Sequence, residues 1–404
     1  MNFLRRRKNG DSDNDNDNDS INNAIVDKNQ KSKKPPNTAF RQQRLRAWQP
    51  ILTPKTVLPL LFLITLIFAP LGIVMMITAN NVQTFQLNYS NCNKLASTNL
   101  DSPSVIDSKY YSSNFNDNSN SKTDSTNKPT WVAFNQTADQ NNDEDYDRQI
   151  CRIQFYLSNS INPPIYLFYK LTNFYQNHRK YVESYDLGQL KGKAVSKDDL
   201  DSRCDPLSTD EETDKIIYPC GLIANSFFND SFSNPILLNP SNTNSNSPNI
   251  TFNFSQAGIS WSSDRSLYKK TTYDIENIVP PPNWSKKYPN GYTEDNLPDF
   301  STDEIFQNWM RTAALPNFMK LVGKNTTDSL PDGNYQIDIE MNYPVEIYGG
   351  KKYIIITSNS VIGGRNLSLG IAYIVLAALS LLFALIFLLK QIIKPRKIGD
   401  HNLL

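Results

Sequence analysis

The sequence predicts two transmembrane helices flanking a large, mainly antiparallel-β lumenal or extracellular domain with helical insertions. Three observations carry this. Two long uncharged runs, Thr56 to Thr78 and Leu367 to Leu389, lie near opposite ends of the 404 residues. All four cysteines and eight Asn-x-Ser/Thr acceptors fall between the runs. That intervening stretch also alternates apolar with polar residues repeatedly, the period of a half-buried strand.

Taken in order, residues 1–39 hold a basic cluster (Arg5, Arg6, Arg7, Lys8), the repeat DSDNDNDNDS and little apolar surface to bury. This is the composition of a disordered tail. Its basic residues allow a second reading, contact with anionic lipid. Residues 40–55, FRQQRLRAWQPILTPK, mix Arg41, Arg44 and Arg46 with Phe40, Leu45 and Trp48. The pattern fits an interfacial anchor and a docking peptide for the cytosolic face of a partner equally well.

Residues 56–78 form the first span. As a helix the run reaches roughly 34 Å, against an apolar bilayer core of ~30 Å. The long polar stretch before it sets it apart from a cleavable signal. Pro70 lies in its interior, frees the carbonyl of Leu66 and predicts a kink. Residues 367–389 form the second span and place Gly370, Ala377 and Ala384 at heptad spacing, a stripe suited to close packing of helices. Neither span carries an ionisable residue, so two such helices alone offer no ion path or proton relay. Basic residues cluster before the first span (Arg41, Arg44, Arg46, Lys55) and after the second (Lys390, Lys394, Arg396, Lys397). The positive-inside rule then puts both termini, including the tail 390–404, in the cytosol. Residues 79–366 face the lumen or the outside.

Cysteines and glycosylation acceptors agree with that topology. Cys92, Cys151, Cys204 and Cys220 all lie in the loop, where disulfides persist. None of their spacings matches a zinc knuckle or a CxxC pair. Four cysteines allow three connectivities; sequential pairing, Cys92 with Cys151 and Cys204 with Cys220, is the expectation. The acceptors in the loop are Asn88, Asn135, Asn229, Asn249, Asn253, Asn283, Asn325 and Asn366. The last abuts the second span too closely to be modified, which leaves seven.

Within the loop, Cys151, Ile153, Phe155 and Leu157 alternate with polar residues, as do Ile250, Phe252 and Phe254, which puts Asn253 on the wet face. Tyr335, Ile337, Ile339 and Met341 do the same and lead through Gly349-Gly350 into KYIIITS, which reads as a hairpin return. Leu171, Phe174, His178, Tyr181 and Tyr185 recur at helical spacing. Ser301 with Glu304 forms a capping box for a helix through Phe306, Trp309 and Met310 that stops before Pro316. Residues 99–147 and the tract NPSNTNSNSPN read as polar surface loops.

Chemistry is sparse. The two histidines are His401, in the cytosolic tail, and His178, which reads as a packed helix residue. Acidic runs at 143–145 and 210–212 read as solvated loops rather than a paired-carboxylate site. A net charge of +1 favours neither nucleic acid nor an acidic substrate. No catalytic residue, metal site or cofactor is expected. The residues alone fit an accessory subunit, a receptor-like module or an adhesion protein.

Longer motifs separate these. The blocks FRQQRLRAWQPILTPKTVLP (40–59), LTNFYQNHRKYVESY (171–185), YPCGLIANSFFND (218–230), GISWSSDRSLYKK (258–270), PPPNWSKKYPNGY (280–292), FQNWMRTAALPNFMKL (306–321), the GGRN-x-x-LGIAYIV stretch from Gly363 and KPRKIGD (394–400) are collinear. In them the chain resembles the accessory (β) subunits of type IV P-type ATPases, the phospholipid flippases, also called ligand-effect modulators. The resemblance covers nearly everything after residue 39. It implies a non-catalytic subunit that forms a heterodimer with the ATPase α-subunit, lets it leave the endoplasmic reticulum and supports a cycle that moves phospholipid to the cytosolic leaflet. By the same resemblance, Phe40 to Trp48 becomes a docking peptide and the spans pack beside the ATPase. Partner contacts are then Phe40, Arg41, Arg44, Leu45 and Trp48 with Gly370, Ala377 and Ala384. The family's fungal members pair their cysteines sequentially. Its animal members carry further cysteines that this chain lacks, which implies a fungal-type subunit of the endoplasmic reticulum, Golgi, endosome or plasma membrane. The rival is a stand-alone membrane receptor or adhesion glycoprotein.

Overall fold

The computed structural model describes residues 38–45, 53–115, 128–136, 148–200, 202–238, 249–360 and 363–395. Arg46, Trp48, His401 and the tract 239–248 lie outside these. Strands are β1 Thr84–Asn88, β2 Ser104–Val105, β3 Tyr111–Asn114, β4 Thr130–Gln136, β5 Arg148–Leu157, β6 Ile165–Thr172, β7 Ile216–Ile217, β8 Ser231–Phe232, β9 Ile236–Leu238, β10 Ile250–Thr251, β11 Ile278–Val279, β12 Phe318–Asn325, β13 Gly333–Glu340 and β14 Lys351–Ser358. Two long helices, α1 Pro54–Asn80 and α8 Ser368–Ile393, flank them. Between lie α2 Cys92–Leu95, α3 Arg179–Val182, α4 Leu187–Leu190, α5 Leu222–Asn225, α6 Ser262–Arg265 and α7 Glu304–Met310.

Two antiparallel sheets form the body, one ordered β12-β6-β14-β1-β3 and the other β10-β9-β13-β5-β4-β2 with β8 beside β13. The period-2 pattern decides which face is buried. Along β5, Cys151, Ile153, Phe155 and Leu157 are buried while Arg152, Gln154 and Tyr156 are half-exposed. Along β6 the buried set is Ile165, Leu167, Tyr169 and Leu171. These inner faces meet: Phe85 of β1 stacks on Phe155 of β5 with ring centroids 4.3 Å apart, and Tyr335 of β13 lies against Phe155 at 5.9 Å. The core is therefore an aromatic-rich layer between two sheets.

A disulfide and an ion pair tie the layers together. Cys92, on the turn after β1, is bonded to Cys151 on β5, so the first sheet's exit is stapled to the second. The second bridge joins Cys204 to Cys220. Deeper in, Lys352 of β14 pairs with Asp230 at 2.7 Å, the two side chains 4% and 0% exposed. Asp230 also accepts from the Tyr89 hydroxyl (2.9 Å) and from the backbone N–H groups of Asn342 (2.6 Å) and Tyr343 (2.7 Å). Lys352 donates further to the Tyr343 carbonyl at 2.9 Å. Burial, with Asp230 beside it, raises the Tyr89 pKa well above its ordinary value. The pair is buried and both members make further hydrogen bonds, the condition under which a buried pair is tolerable.

Several sequence-based expectations need correction. The segment from Tyr335 and KYIIITS do not form a hairpin. β13 pairs β5, β8 and β9, whereas β14 pairs β1 and β6 in the other sheet. The connection, with a 3₁₀ turn at Glu346–Tyr348 and Gly349 at φ 64°, crosses between layers. Nor do Leu171, Phe174, His178, Tyr181 and Tyr185 form one helix. Leu171 belongs to β6, only Arg179–Val182 is helical, and His178 stands exposed just before it. Phe174 mimics helical spacing because it inserts among Tyr181, Trp309, Phe318 and Tyr348. Helix α7 is capped by Asp303, whose side chain accepts from Phe306 N, rather than by Ser301. Glu304 instead reaches back to Gly258 N (2.9 Å) and Ser260 N (2.8 Å). Burial pushes the Glu304 carboxyl up, but those two donors, with Arg265 nearby, hold it below its ordinary value. That stabilisation is present above ~pH 4.3 and is lost as pH falls through the lower folded value. Ile250 is exposed, and the stretch 99–147 contains β2, β3 and β4, with Trp131 and Val132 buried.

The ion pair yields a prediction. Lys352→Met leaves Asp230 buried and short of its cation, and should cost about 3–5 kcal/mol. A thermal unfolding midpoint in detergent that does not change would contradict the role given to the pair.

Candidate partner interface

Three regions are candidates: the pair of membrane-length helices, the short segment before them, and the parts of the sheet domain that carry the disulfides and acceptor asparagines. Helices α1 and α8 are both long and apolar enough to cross a membrane. They touch where side chains vanish. A Cβ added to Gly72 would lie 2.8 Å from Ile374 Cγ1 and 3.1 Å from the Gly370 carbonyl. One on Gly370 would lie 2.7 Å from Met76 Cγ and 3.2 Å from the Gly72 carbonyl. Phe68 and Tyr373 pack ring to ring at 5.1 Å. The Thr65 hydroxyl lies 3.0 Å from the Leu61 carbonyl and 3.3 Å from the Ala377 carbonyl across the seam. In lipid such contacts replace the hydrophobic driving force that water supplies elsewhere.

The small-residue stripe faces inward. Gly370, Ala377 and Ala384 are the buried face of α8 together with Ser380. Gly370 and Ala377 meet the chain's own first helix. A second protein would meet the remaining faces, where Leu63, Leu66, Ile67 and Val74 of α1 and Val375, Leu379, Leu382 and Ile386 of α8 stand exposed.

The segment before α1 is described by itself. Thr38 to Arg44 make a compact turn, with Gln42 N donating to Thr38 O at 2.9 Å and Arg44 N to Ala39 O at 2.7 Å. Phe40 and Leu45 are 77% and 63% exposed, and Arg41 is exposed as well. The turn thus displays two apolar side chains and a cation to its surroundings. Thr53 precedes Pro54, whose fixed φ suits a first helical position, and Thr56 Oγ1 accepts from Thr53 N at 3.2 Å.

In the sheet domain, the block around the second disulfide is built from main-chain carbonyls capped by indoles. Trp309 Nε1 donates to Ile223 O at 2.7 Å and Trp284 Nε1 to Ala224 O at 2.9 Å. Cys220 N donates to the buried Gln189 Oε1 at 2.9 Å. Gly221 has φ 96°, and a Cβ there would fall 2.2 Å from the Ser184 carbonyl, so only glycine fits. The polar tips of two buried tryptophans thereby hold α5, and with it the disulfide, against α7 and the 282–284 turn.

Acceptor asparagines divide by exposure. Asn135, Asn249, Asn253 and Asn283 are exposed and Asn229 is half-buried. Asn88 and Asn325 are 6% and 8% exposed. Asn325 Nδ2 donates to Asn253 O and Asp328 Oδ2, both at 3.0 Å, and Asn88 Oδ1 closes a turn onto Ser90 at 3.0 Å. Those two side chains serve the fold. Asn366 is exposed beside α8.

Titratable groups here are structural. Lys320 is buried, donating to the Asn308 carbonyl at 2.8 Å and to that of Arg311. Burial first, then the Arg311 charge, pulls its pKa down to about 8. Burial pushes the Tyr181 hydroxyl up to about 12. Among the described residues no group of three or more His, Cys, Asp or Glu side chains is placed to hold a metal.

Gly370→Leu should force α1 and α8 apart. Cysteines placed at 68 and 373 should cross-link readily in the parent and poorly in the variant, and equal cross-linking in both would show that the glycines do not set the seam.

Comparison with known proteins agrees with this anatomy. Residues 75–397 match the LEM3 (ligand-effect modulator 3) family / CDC50 family. The chain is 48% identical over 377 residues to the Saccharomyces cerevisiae phospholipid-transporting ATPase accessory subunit CRF1, covering 93% of this chain and 89% of that protein. The corresponding values are 41%, 92% and 90% for the accessory subunit CDC50 of Chaetomium thermophilum. They are 39%, 92% and 87% for the S. cerevisiae accessory subunit LEM3. With its two apolar helices the chain is a membrane protein, and over nearly its whole length it belongs to the LEM3/CDC50 family.

Proposed function

We propose that the protein is the non-catalytic accessory subunit of a phospholipid-transporting P-type ATPase, forming a heterodimer with the ATPase α-subunit. The observation that carries this is the match over nine-tenths of the chain to relatives named as accessory subunits of such ATPases. The seam between α1 and α8 supports it, because two helices already packed on each other leave broad apolar outer faces for a larger membrane partner. In this reading the subunit accompanies the ATPase out of the endoplasmic reticulum to the Golgi, endosome or plasma membrane, with both termini cytosolic. The segment Phe40 to Trp48, with Arg41, Arg44 and Leu45, lies against the partner's cytosolic side. The exposure of Phe40 and Leu45 favours that role over burial within this chain.

Affinity purification of the tagged chain in mild detergent, followed by mass spectrometry, tests the heterodimer. Expected is a near-stoichiometric P-type ATPase; a chain that purifies alone, or only with soluble lumenal proteins, supports a stand-alone receptor instead. Deletion of residues 40–48 should leave the subunit glycosylated yet lower lipid translocation by the complex. Unchanged translocation would remove the docking role. Topology has its own readout in Asn18, an acceptor in the N-terminal tail (Asn18-Asp19-Ser20), which should stay unmodified if that tail is cytosolic.

A further inference from the structure

We propose that N-linked glycans on Asn249 and Asn253 shield the open edge of the seven-stranded sheet, keeping it from pairing with the same edge of a second copy of this chain. The inference goes beyond the accessory-subunit reading and rests only on the sheet domain facing the lumen. Strand β10 ends the sheet ordered β10-β9-β13-β5-β4-β2. Ile250 pairs with Leu237 and Thr251 with Ile236, and Phe252 N donates to Pro235 O at 2.8 Å. Alternate residues of an antiparallel ladder bond to opposite sides. Phe252 faces β9, so Thr251 presents its N–H and carbonyl outward, where no strand among the described residues pairs with it. Past Thr251 the edge closes. Asn253 O accepts from Asn325 Nδ2 at 3.0 Å, and Ser255 and Lys324 exchange backbone hydrogen bonds of 2.9 Å. The open stretch is thus bracketed by the two acceptors.

Composition makes this edge hazardous. No Asp, Glu, Lys, Arg or His occurs from Ser231 to Ser263, a stretch that holds β8, β9 and β10. Within it, residues 250–254 read ITFNF, uncharged and free of proline. Such β-branched and aromatic runs are the ones that pair with their own copies, and Ile250 is 55% exposed. Proteins ordinarily blunt an edge with lysine, proline or a covering element, and place charged gatekeepers beside hydrophobic strands. Here the gatekeeper positions are glycosylation acceptors.

The geometry suits them to that task. Both asparagines are exposed. Asn253 Oδ1 accepts from Asn234 Nδ2 at 3.2 Å, and Asn234 Oδ1 in turn accepts from Phe254 N at 2.9 Å. That lock engages the oxygen of Asn253 and leaves Nδ2, the atom a glycan is bonded to, for the sugar. Asn325 is the opposite case, its Nδ2 spent on the fold. A strand joining the edge at Thr251 would have to approach to ~4.8 Å. A bulky, hydrated glycan on either flank excludes it.

Attachment is a balanced transfer. Nδ2 forms a bond to C1 of N-acetylglucosamine, and the C1–O bond to a lipid-linked oligosaccharide diphosphate breaks. Nδ2 gives up one proton, and the lipid diphosphate leaves.

The test is size-exclusion chromatography with light scattering on the full-length chain in mild detergent, after glycopeptide mass spectrometry at each acceptor. Expected is sugar at Asn249 and Asn253 in the parent. Asn249→Gln combined with Asn253→Gln should shift the chain, as its concentration rises, to the mass of two copies and more. Asn135→Gln, which removes an exposed acceptor from β4, a strand between β5 and β2, should cause no such shift. Adding Ile250→Lys to the double variant puts a charge on the bare edge and should restore the parent's elution. Oligomers that persist with Ile250→Lys come from a damaged fold and overturn the shield, as does a double variant that elutes like the parent. Sugar at other acceptors but at neither Asn249 nor Asn253 overturns the shield alone. Absence of sugar at every acceptor overturns the lumenal reading beneath it.

Discussion

The constraint on which the sheet domain depends is the buried contact between Lys352 and Asp230. Removed from water, either charge without its partner carries an uncompensated desolvation cost, so the four elements that satisfy them must arrive together. Lys352 comes from β14 and Tyr89 from the end of β1, both in the five-stranded sheet. Asn342 and Tyr343 follow β13 of the other sheet, and Asp230 lies on the loop into β8. An apolar core of the same size would hold the sheets together over many relative offsets. The ion pair, with five named contacts at fixed distances, allows one. The Cys92–Cys151 bridge acts on the same problem from the chain side, limiting how far the sheets separate when the core opens.

What the sequence revealed divides along physical lines. Two spans without a charge, a loop holding all the cysteines, and strands such as β5 and β13 were legible because each rests on a short-range signal: hydropathy, composition or period 2. The hairpin expected between Tyr335 and KYIIITS was not. Two strands with a Gly-Gly turn between them carry the same local pattern whether they pair with each other or join opposite layers. Only Lys352 and Tyr343, whose partners are far away in sequence, show which. The aromatic series from Leu171 to Tyr185 misled for a related reason. Spacing of three or four residues implies a helix only if one continuous surface buries the side chains. Here Phe174 packs into a cluster drawn from α3, α7, β12 and the 346–348 turn.

The candidate interface shows the same limit. The heptad stripe on α8 correctly marked a close helix contact but could not name the second helix, because small residues promote approach to any neighbour. Gly72, which completes the contact from α1, went unnoticed beside the more conspicuous Pro70. Acceptor asparagines carried a similar ambiguity. The tripeptide is identical at Asn325 and at Asn253, and only tertiary hydrogen bonding separates a buried Nδ2 that holds a loop from one open to solvent.

The two membrane helices and the sheet they feed form one mechanical path. Helix α1 ends at Asn80, and its last turn is met by Asn114 of β3, whose Nδ2 donates to Asn80 O at 3.1 Å and Val82 O at 2.8 Å. Four residues past the helix, Thr84 pairs with Thr357, their hydroxyls 2.8 Å apart. Strand β14, which contains Thr357, continues toward α8. Neighbouring strands sit ~4.8 Å apart, so the sheet delivers both chain ends to the helices side by side. The Gly72–Gly370 contact then keeps the helices close within the apolar layer. A partner that shifts one helix therefore pulls on β1 or β14, the two strands that carry Tyr89 and Lys352 into the buried ion pair. Rigidity at the centre of the sheet domain and packing of the helices are thus two ends of one lever.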